Sequence, residues 1–307
     1  MHRTTRAAAA LVSAALLASA LIAWAPGATP ASAAPIGTVS NYGRVIDGPA
    51  GIAIGLDGNM WFTNAGGNTI GRMTLAGAVT NYAGTGISAP QGIVAGPDGN
   101  LWFANVGNNS IGRITTFGGI VSNYTGTGID SPSKIINGPT GDLWFTNWDS
   151  IGRITTAGVV TIYTDPSIER PAGISGGPDG NVWFTNRGNN SIGRITPAGA
   201  ITNYTGPGVD QPTGITVGLG NTLWFTNNRS FHGTIGSITT GGAITDFPLP
   251  DVDGPLDIAL GLDNNLWFIT SISHQLGRIT RAGAVTMFGG NGAKDMQAIT
   301  AGPDGNL

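Results

Sequence analysis

The chain predicts an all-β fold, a β-propeller of four-stranded antiparallel blades, and three observations predict it. A Trp-Phe pair recurs at Trp61-Phe62, Trp102-Phe103, Trp144-Phe145, Trp183-Phe184, Trp224-Phe225 and Trp267-Phe268, with spacings of 41, 42, 39, 41 and 43 residues. A repeat of that length is one supersecondary unit that buries its faces only by stacking on its neighbours. Each period holds four short apolar alternations separated by Gly, Pro, Asn and Asp, and none has the 3.6-residue apolar period of a helix. An Ile stands nine residues before each Trp, from Ile52 to Ile258, and a seventh such Ile is Ile299.

The period at residues 90–124 shows the elements in order. Pro90 to Ala95 reads as the innermost strand. Gly96-Pro97-Asp98-Gly99 is a tight turn, because Pro fixes φ, Asp accepts local hydrogen bonds and Gly takes positive φ. Asn100 to Ala104 is the second strand, Asn105 to Ser110 a polar loop, and Ile111 to Thr115 the third strand. Residues 116–119 turn again, and Ile120 to Tyr124 form the outer strand. Trp and Phe occupy successive strand positions, so they face opposite sides of the blade and belong to the core between blades. The Arg of Ile-Gly-Arg (Arg72, Arg113, Arg153, Arg194, Arg278) recurs at a fixed place and reads as a structural lattice, which Ser237 interrupts.

Counting first strands gives seven blades. The last is incomplete, because the chain ends at Leu307 where the seventh Trp-Phe pair is due. Gly37 to Tyr42 repeats the outer-strand pattern of Gly77 to Tyr82, and is expected to close the ring by completing the last blade. The expectation is a single propeller domain at residues 34–307, C-terminally incomplete. Residues 1–33 read as a secretory signal peptide, with Arg3 and Arg6, an Ala/Leu run from Ala7 to Ala25 and Ala31-Ser32-Ala33 as cleavage site. The mature chain is then secreted, with no membrane segment.

Composition narrows the chemistry. Only 10% of residues are charged, and the net charge of −3 comes with no basic stripe, which argues against nucleic acid. There are no cysteines, hence no disulfide, thiol nucleophile or thiolate metal site. A closed propeller of this kind is expected to be monomeric.

The loops after the second and fourth strands share one rim, where propellers carry variable residues. There the sequence places Asn64, Asn105, Asn147, Trp148, Asp149, Asn186, Arg187, Asn227, Arg229, His232 and His274. From the other loop set come Gln91, Lys134, Glu169, Arg170, Asp210, Gln211, Asp253, Asp257, Asp295 and Gln297. Asp251, Asp253 and Asp257 lie close enough in sequence to suggest a Ca²⁺ or Mg²⁺ site, with solvated loop acids as the simpler reading. His232 and His274 read as solvated loop histidines, with a two-histidine metal site as the alternative.

The repeated P-x-G-I-x-x-G-P-D-G-N-L-W-F-T, N-x-I-G-R-I-T and G-x-V-T-x-Y closely resemble the virginiamycin B lyase, or streptogramin B lyase, family over residues 37–307. That resemblance implies an Mg²⁺-dependent elimination that opens a cyclic depsipeptide at its ester, with a histidine as general base. It places a metal-ligating Glu and the base His in a Glu-x-His segment at the head of the last innermost strand. Here that segment is Asp295-Met296-Gln297, so Asp295 is the remaining metal candidate and Gln297 stands where the base would be. The family's substrate-contacting His falls on Leu256. The expected function is therefore a non-catalytic binding module whose amide-rich rim (Asn64, Gln91, Asn105, Asn147, Asn186, Asn227, His232, His274, Gln297) takes a polar ligand, a glycan or a peptide. The alternative is the Mg²⁺-dependent streptogramin B lyase.

Overall fold

The computed structural model describes residues 46–307, apart from residues 118, 120, 230–231, 250–251 and 290–294. The leader at 1–33, the closing strand at 37–42 and Asp251 lie outside the described residues.

Each of the first six repeats folds as read, into one antiparallel sheet with strands in chain order. The first blade is β1 (Pro49–Ile54), β2 (Met60–Asn64), β3 (Thr69–Met73) and β4 (Val79–Tyr82). The second is β5 (Pro90–Ala95), β6 (Leu101–Asn105), β7 (Ser110–Ile114) and β8 (Val121–Tyr124). The third is β9 (Ile135–Asn137), β10 (Leu143–Thr146), β11 (Ile151–Ile154) and β12 (Val160–Tyr163). The fourth is β13 (Pro171–Gly176), β14 (Val182–Asn186), β15 (Ser191–Ile195) and β16 (Ile201–Tyr204). The fifth is β17 (Pro212–Val217), β18 (Thr222–Asn227), β19 (Thr234–Thr239) and β20 (Ile244–Pro248). The sixth is β21 (Pro255–Leu260), β22 (Leu266–Thr270), β23 (Leu276–Ile279) and β24 (Val285–Phe288). Among the described residues no helix is long and apolar enough to cross a membrane.

The molecule is thus a six-bladed propeller, and the expectation of seven blades is corrected. Residues 295–307 repeat the first-strand motif, but a strand exists only where a neighbour pairs with it. This segment forms one turn, closed by Gly302 N–H to the Asn306 carbonyl at 2.6 Å, and no strand. Its Ile299 N–H donates to the Asp257 carboxylate at 3.3 Å instead.

Five apolar layers join consecutive blades. In each, the Trp of one blade meets the Phe of the next, as Trp61 meets Phe103 and Trp102 meets Phe145. The series continues through Trp144 with Phe184, Trp183 with Phe225, and Trp224 with Phe268. A buried aromatic of this size removes roughly 150–250 Å² from water, which at ~25 cal/mol/Å² contributes about 4–6 kcal/mol before entropy. Phe103 pairs across the sheet with Gly112, and a Cβ on that glycine would collide with the ring. The same fit recurs in every blade, so the Gly of Ile-Gly-Arg is a slot for the aromatic.

The Trp also organises a polar cassette. In the first blade its ring stacks on Tyr82 at 5.4 Å while the Arg72 guanidinium lies 5.9 Å over it. Trp61 Nε1–H donates to Asp57 at 3.0 Å, and Arg72 Nε donates to the same carboxylate at 2.7 Å. Burial pushes the Asp57 carboxyl up, but hydrogen bonds from Trp61, Arg72 and Asn59 outweigh it and hold it below the usual aspartate range. Asp98, Asp179 and Asp263 repeat this balance. Two blades depart from it instructively. In the third, the turn position four before Trp144 is Thr140, and Trp144 Nε1 is buried with no acceptor. In the fifth, the Asp position is Gly220 and the Arg position is Ser237, so both halves of the ion pair are gone together.

Candidate functional site

The asparagines at the ends of the second strands sit on the expected rim, but they face inward. Asn64, Asn105, Asn147, Asn186 and Asn227 are each at most 2% exposed. Asn105 shows why. Its Oδ1 accepts the Ser88 N–H at 3.1 Å, and its Nδ2 donates to the Gly86 carbonyl at 3.0 Å and to Ser110 Oγ at 3.1 Å. The same amide staples the incoming loop to the second and third strands in the other four blades, as Glu169 N–H to Asn186 Oδ1 at 3.3 Å and Asn186 Nδ2 to Ser191 Oγ at 3.0 Å illustrate. A buried amide needs these partners, and their full use leaves it little capacity for a ligand. In the sixth blade Thr270 takes the place, bonded to Gln275 N–H at 2.8 Å.

A second ring, one step further out, is conformationally strained. Ala89, Ser131, Arg170 and Gln211 have φ of 42°, 46°, 47° and 48°, and each precedes the Pro that opens or leads into an innermost strand. Left-handed φ at non-glycine residues costs energy and persists where the surroundings enforce it. The enforcing contact is an Asx side chain from the preceding blade. Asn68, Asn109, Asp149 and Asn190 each accept one of these N–H groups, at 2.7, 2.9, 3.0 and 2.8 Å. Asp295 has the same geometry, φ 51°, and is exposed, as is Gln297. His274 occupies the loop position of the Asx in its own blade, with φ 50° and its Nδ1 buried without a partner. His232 is exposed at φ 60°. Gln91 is half-buried, and its carbonyl accepts the Thr63 hydroxyl of the preceding blade at 2.6 Å.

Two concavities bear on the site. The central channel, about 140 Å³, is lined by the heads of the innermost strands and by Ala298 and Ile299. Gly51, Gly92, Gly173 and Gly214 line or adjoin it where a Cβ would strike the next blade's backbone. Lys134 and Asp257 replace glycine in two blades, and their side chains meet at 3.4 Å. Sequence reasoning had named both residues without pairing them; the signal was that each breaks the glycine of its own repeat. The larger concavity is a rim cleft of about 790 Å³ against the third, fourth and fifth blades, lined by Ser131, Ser133, Trp148, Arg170, Arg187, Asn190 and Gln211 among others. Trp148 is half-exposed, and the Arg170 guanidinium lies 5.3 Å over its ring. Ser131 and Asn190 escaped sequence reasoning because Ser and Asn fill every loop of this chain.

The described residues assemble no metal site. Among the described residues no three His, Asp or Glu side chains gather closely enough to hold an ion. Asp295 stands as a single carboxylate beside the neutral Gln297, a donor set that does not fit a resident Mg²⁺.

Fold and rim together define a repeat β-propeller with a polar, cleft-bearing face. The virginiamycin B lyase family model matches residues 33–164 and 85–307. The chain belongs to that family. Among solved structures, virginiamycin B lyase from Staphylococcus aureus is 34% identical, with a TM-score of 0.76 over 83% of this chain and 89% of that one. A streptogramin B lyase is 32% identical, with a TM-score of 0.78 over 85% and 89%. A catalytically inactive His-to-Ala variant of the Staphylococcus aureus enzyme with quinupristin is 34% identical, with a TM-score of 0.77 over 83% and 89%. Hydrazine synthase of Kuenenia stuttgartiensis, 17% identical with a TM-score of 0.72, shares the fold alone. No curated protein matches the sequence.

Proposed function

We propose that this chain is a non-catalytic member of the virginiamycin B lyase family, a propeller that binds a polar ligand at its rim. The observation that carries the reading is Gln297. A proton abstraction needs a group that can hold the proton, and an amide has no basicity near neutral pH. The inactive His-to-Ala variant of the Staphylococcus aureus enzyme supports the need for one histidine in that relative. In this chain His232 lies in the loop between β18 and β19, and His274 in the loop between β22 and β23; neither heads an innermost strand. Asp295 offers one carboxylate and no metal set.

The binding half of the reading is supported by the rim cleft, whose volume falls in the range of small-ligand sites. Its polar side chains suit a peptide or a glycan. The leader-like N-terminus supports action outside the cytoplasm; sequencing the N-terminus of protein from culture medium tests it, and a mature chain starting near Ala34 is the expected result. The function itself is tested by incubating the full chain with a streptogramin B and Mg²⁺ and following the antibiotic by mass spectrometry. The intact cyclic mass is expected to persist. A linear product lost on Asp295→Ala would establish a lyase and sink the binding-module reading.

A further inference from the structure

We infer that the rim cleft is a carboxylate clamp, built to take the acidic groups of a peptide. The inference rests on the binding-module reading and names its ligand class.

Among the described residues most cations are spent on the fold. Arg72, Arg113, Arg153 and Arg194 pair with the turn aspartates, and Lys134 pairs with Asp257. Arg229 Nε lies 2.7 Å from Asp210, though out of line for a hydrogen bond. Arg278 lies over Trp267 and acts on Asp263. Among the described residues Arg170, Arg187 and Arg281 have no ion-pair partner. Two of these three line the same cleft.

Their placement is built. The Arg187 N–H donates to the Arg170 carbonyl at 3.2 Å, so the two side chains leave adjacent, hydrogen-bonded backbone positions. Arg170 is held in the left-handed region, φ 47°, by the Asp149 carboxylate on its own N–H at 3.0 Å. That bond engages the Asp149 carboxylate with the backbone. Glu169 is exposed beside them, its chain packed toward Gly188, and forms no ion pair with either arginine. Both arginines are exposed residues. Guanidinium is the side chain best matched to a carboxylate, through paired N–H donors.

The rest of the cleft favours a peptide over a sugar acid. A sugar is gripped by an open aromatic face, and Arg170 covers one face of Trp148. Gln211, Asn190 and Ser131 add amide and hydroxyl groups suited to peptide N–H and C=O.

The test uses the full chain and three probes, acetyl-Glu-Glu-Glu-amide, acetyl-Gln-Gln-Gln-amide and an oligogalacturonate, titrated by calorimetry at two salt concentrations. The acidic peptide is expected to bind about tenfold or more tightly than the neutral one, with affinity falling as salt rises. Arg170→Gln and Arg187→Gln should each weaken it by about fivefold or more. Arg281→Gln, an unpaired arginine outside the cleft, should change nothing, and unchanged melting temperatures show that all variants fold. Equal affinity for the two peptides, no binding of the acidic one, or an equal loss in Arg281→Gln would overturn the clamp. Binding of an oligogalacturonate in place of the peptide, lost on Arg187→Gln, would also overturn it in favour of sugar acids. None of these results would bear on the lyase assay, so failure of the clamp and failure of the binding-module reading stay distinct.

Discussion

At the scale of single residues, the rim asparagines show how type and position mislead without burial. Their recurrence after Trp-Phe-Thr is plain in the sequence, and a polar residue at a strand end facing loops reads as a ligand contact. What the sequence did not expose is the partner set, which lies 17 and 19 residues upstream in a loop of variable composition. Removing one such amide leaves the half-buried Ser88 N–H without its acceptor and the buried Ser110 hydroxyl without a donor, while the Gly86 carbonyl keeps Asn108 and Asn123. Asn105→Ala is expected to cost about 2–3 kcal/mol in urea unfolding. The two kinds of Trp allow a sharper comparison. Trp102 donates to Asp98 at 2.9 Å, whereas Trp144 Nε1 has no acceptor. Replacing Trp102 by Phe loses a charge-assisted hydrogen bond; replacing Trp144 by Phe removes a donor that was already unsatisfied. The first should cost more, by about 1–2 kcal/mol, in paired denaturation curves.

At the scale of the element, the blade was nearly all legible. Turn glycines, the Trp-Phe pair and the outer-strand Tyr each announce a place in a four-stranded sheet, and the structure uses them so. The Gly of Ile-Gly-Arg was visible as a repeat, but its reason was not, because Phe103 lies across the sheet from Gly112. Gly112→Ala forces a Cβ into that ring and should destabilise by about 1–3 kcal/mol in thermal unfolding. The Asp–Trp–Arg cassette sets the acid behaviour. Asp57, Asp98, Asp179 and Asp263 are held below their ordinary value of 3.8 in the folded chain. Their contribution is present above that value and is lost as pH falls through the folded values, since the unfolded chain binds those protons first. The urea midpoint should therefore hold from neutral pH to near 4 and then drop, and Asp98→Asn should make the drop shallower. A midpoint that rises on acidification would contradict the cassette.

At the scale of the whole molecule, counting motifs overshot the architecture. Seven innermost-strand motifs are present in the sequence, but six sheets form, because a blade needs paired strands and residues 295–307 have none. The family, by contrast, was legible in the repeat grammar, since that grammar encodes the interblade packing itself. The candidate cleft was only partly legible. Trp148, Arg170, Arg187 and Gln211 stood among the rim residues, but nothing local marks Arg170 and Arg187 as hydrogen-bonded neighbours across a loop pair. The scaffold of the family is thus retained, and on the proposed reading Gln297 puts an amide where its base would stand.

That contrast is tested most directly by one quantity, the fraction of a streptogramin B ring-opened after prolonged incubation with the full chain and Mg²⁺, read by mass spectrometry against an enzyme-free control. The account predicts a fraction equal to the control for the natural chain and for Asp295→Ala alike. Ring opening above the control that disappears in Asp295→Ala would contradict it.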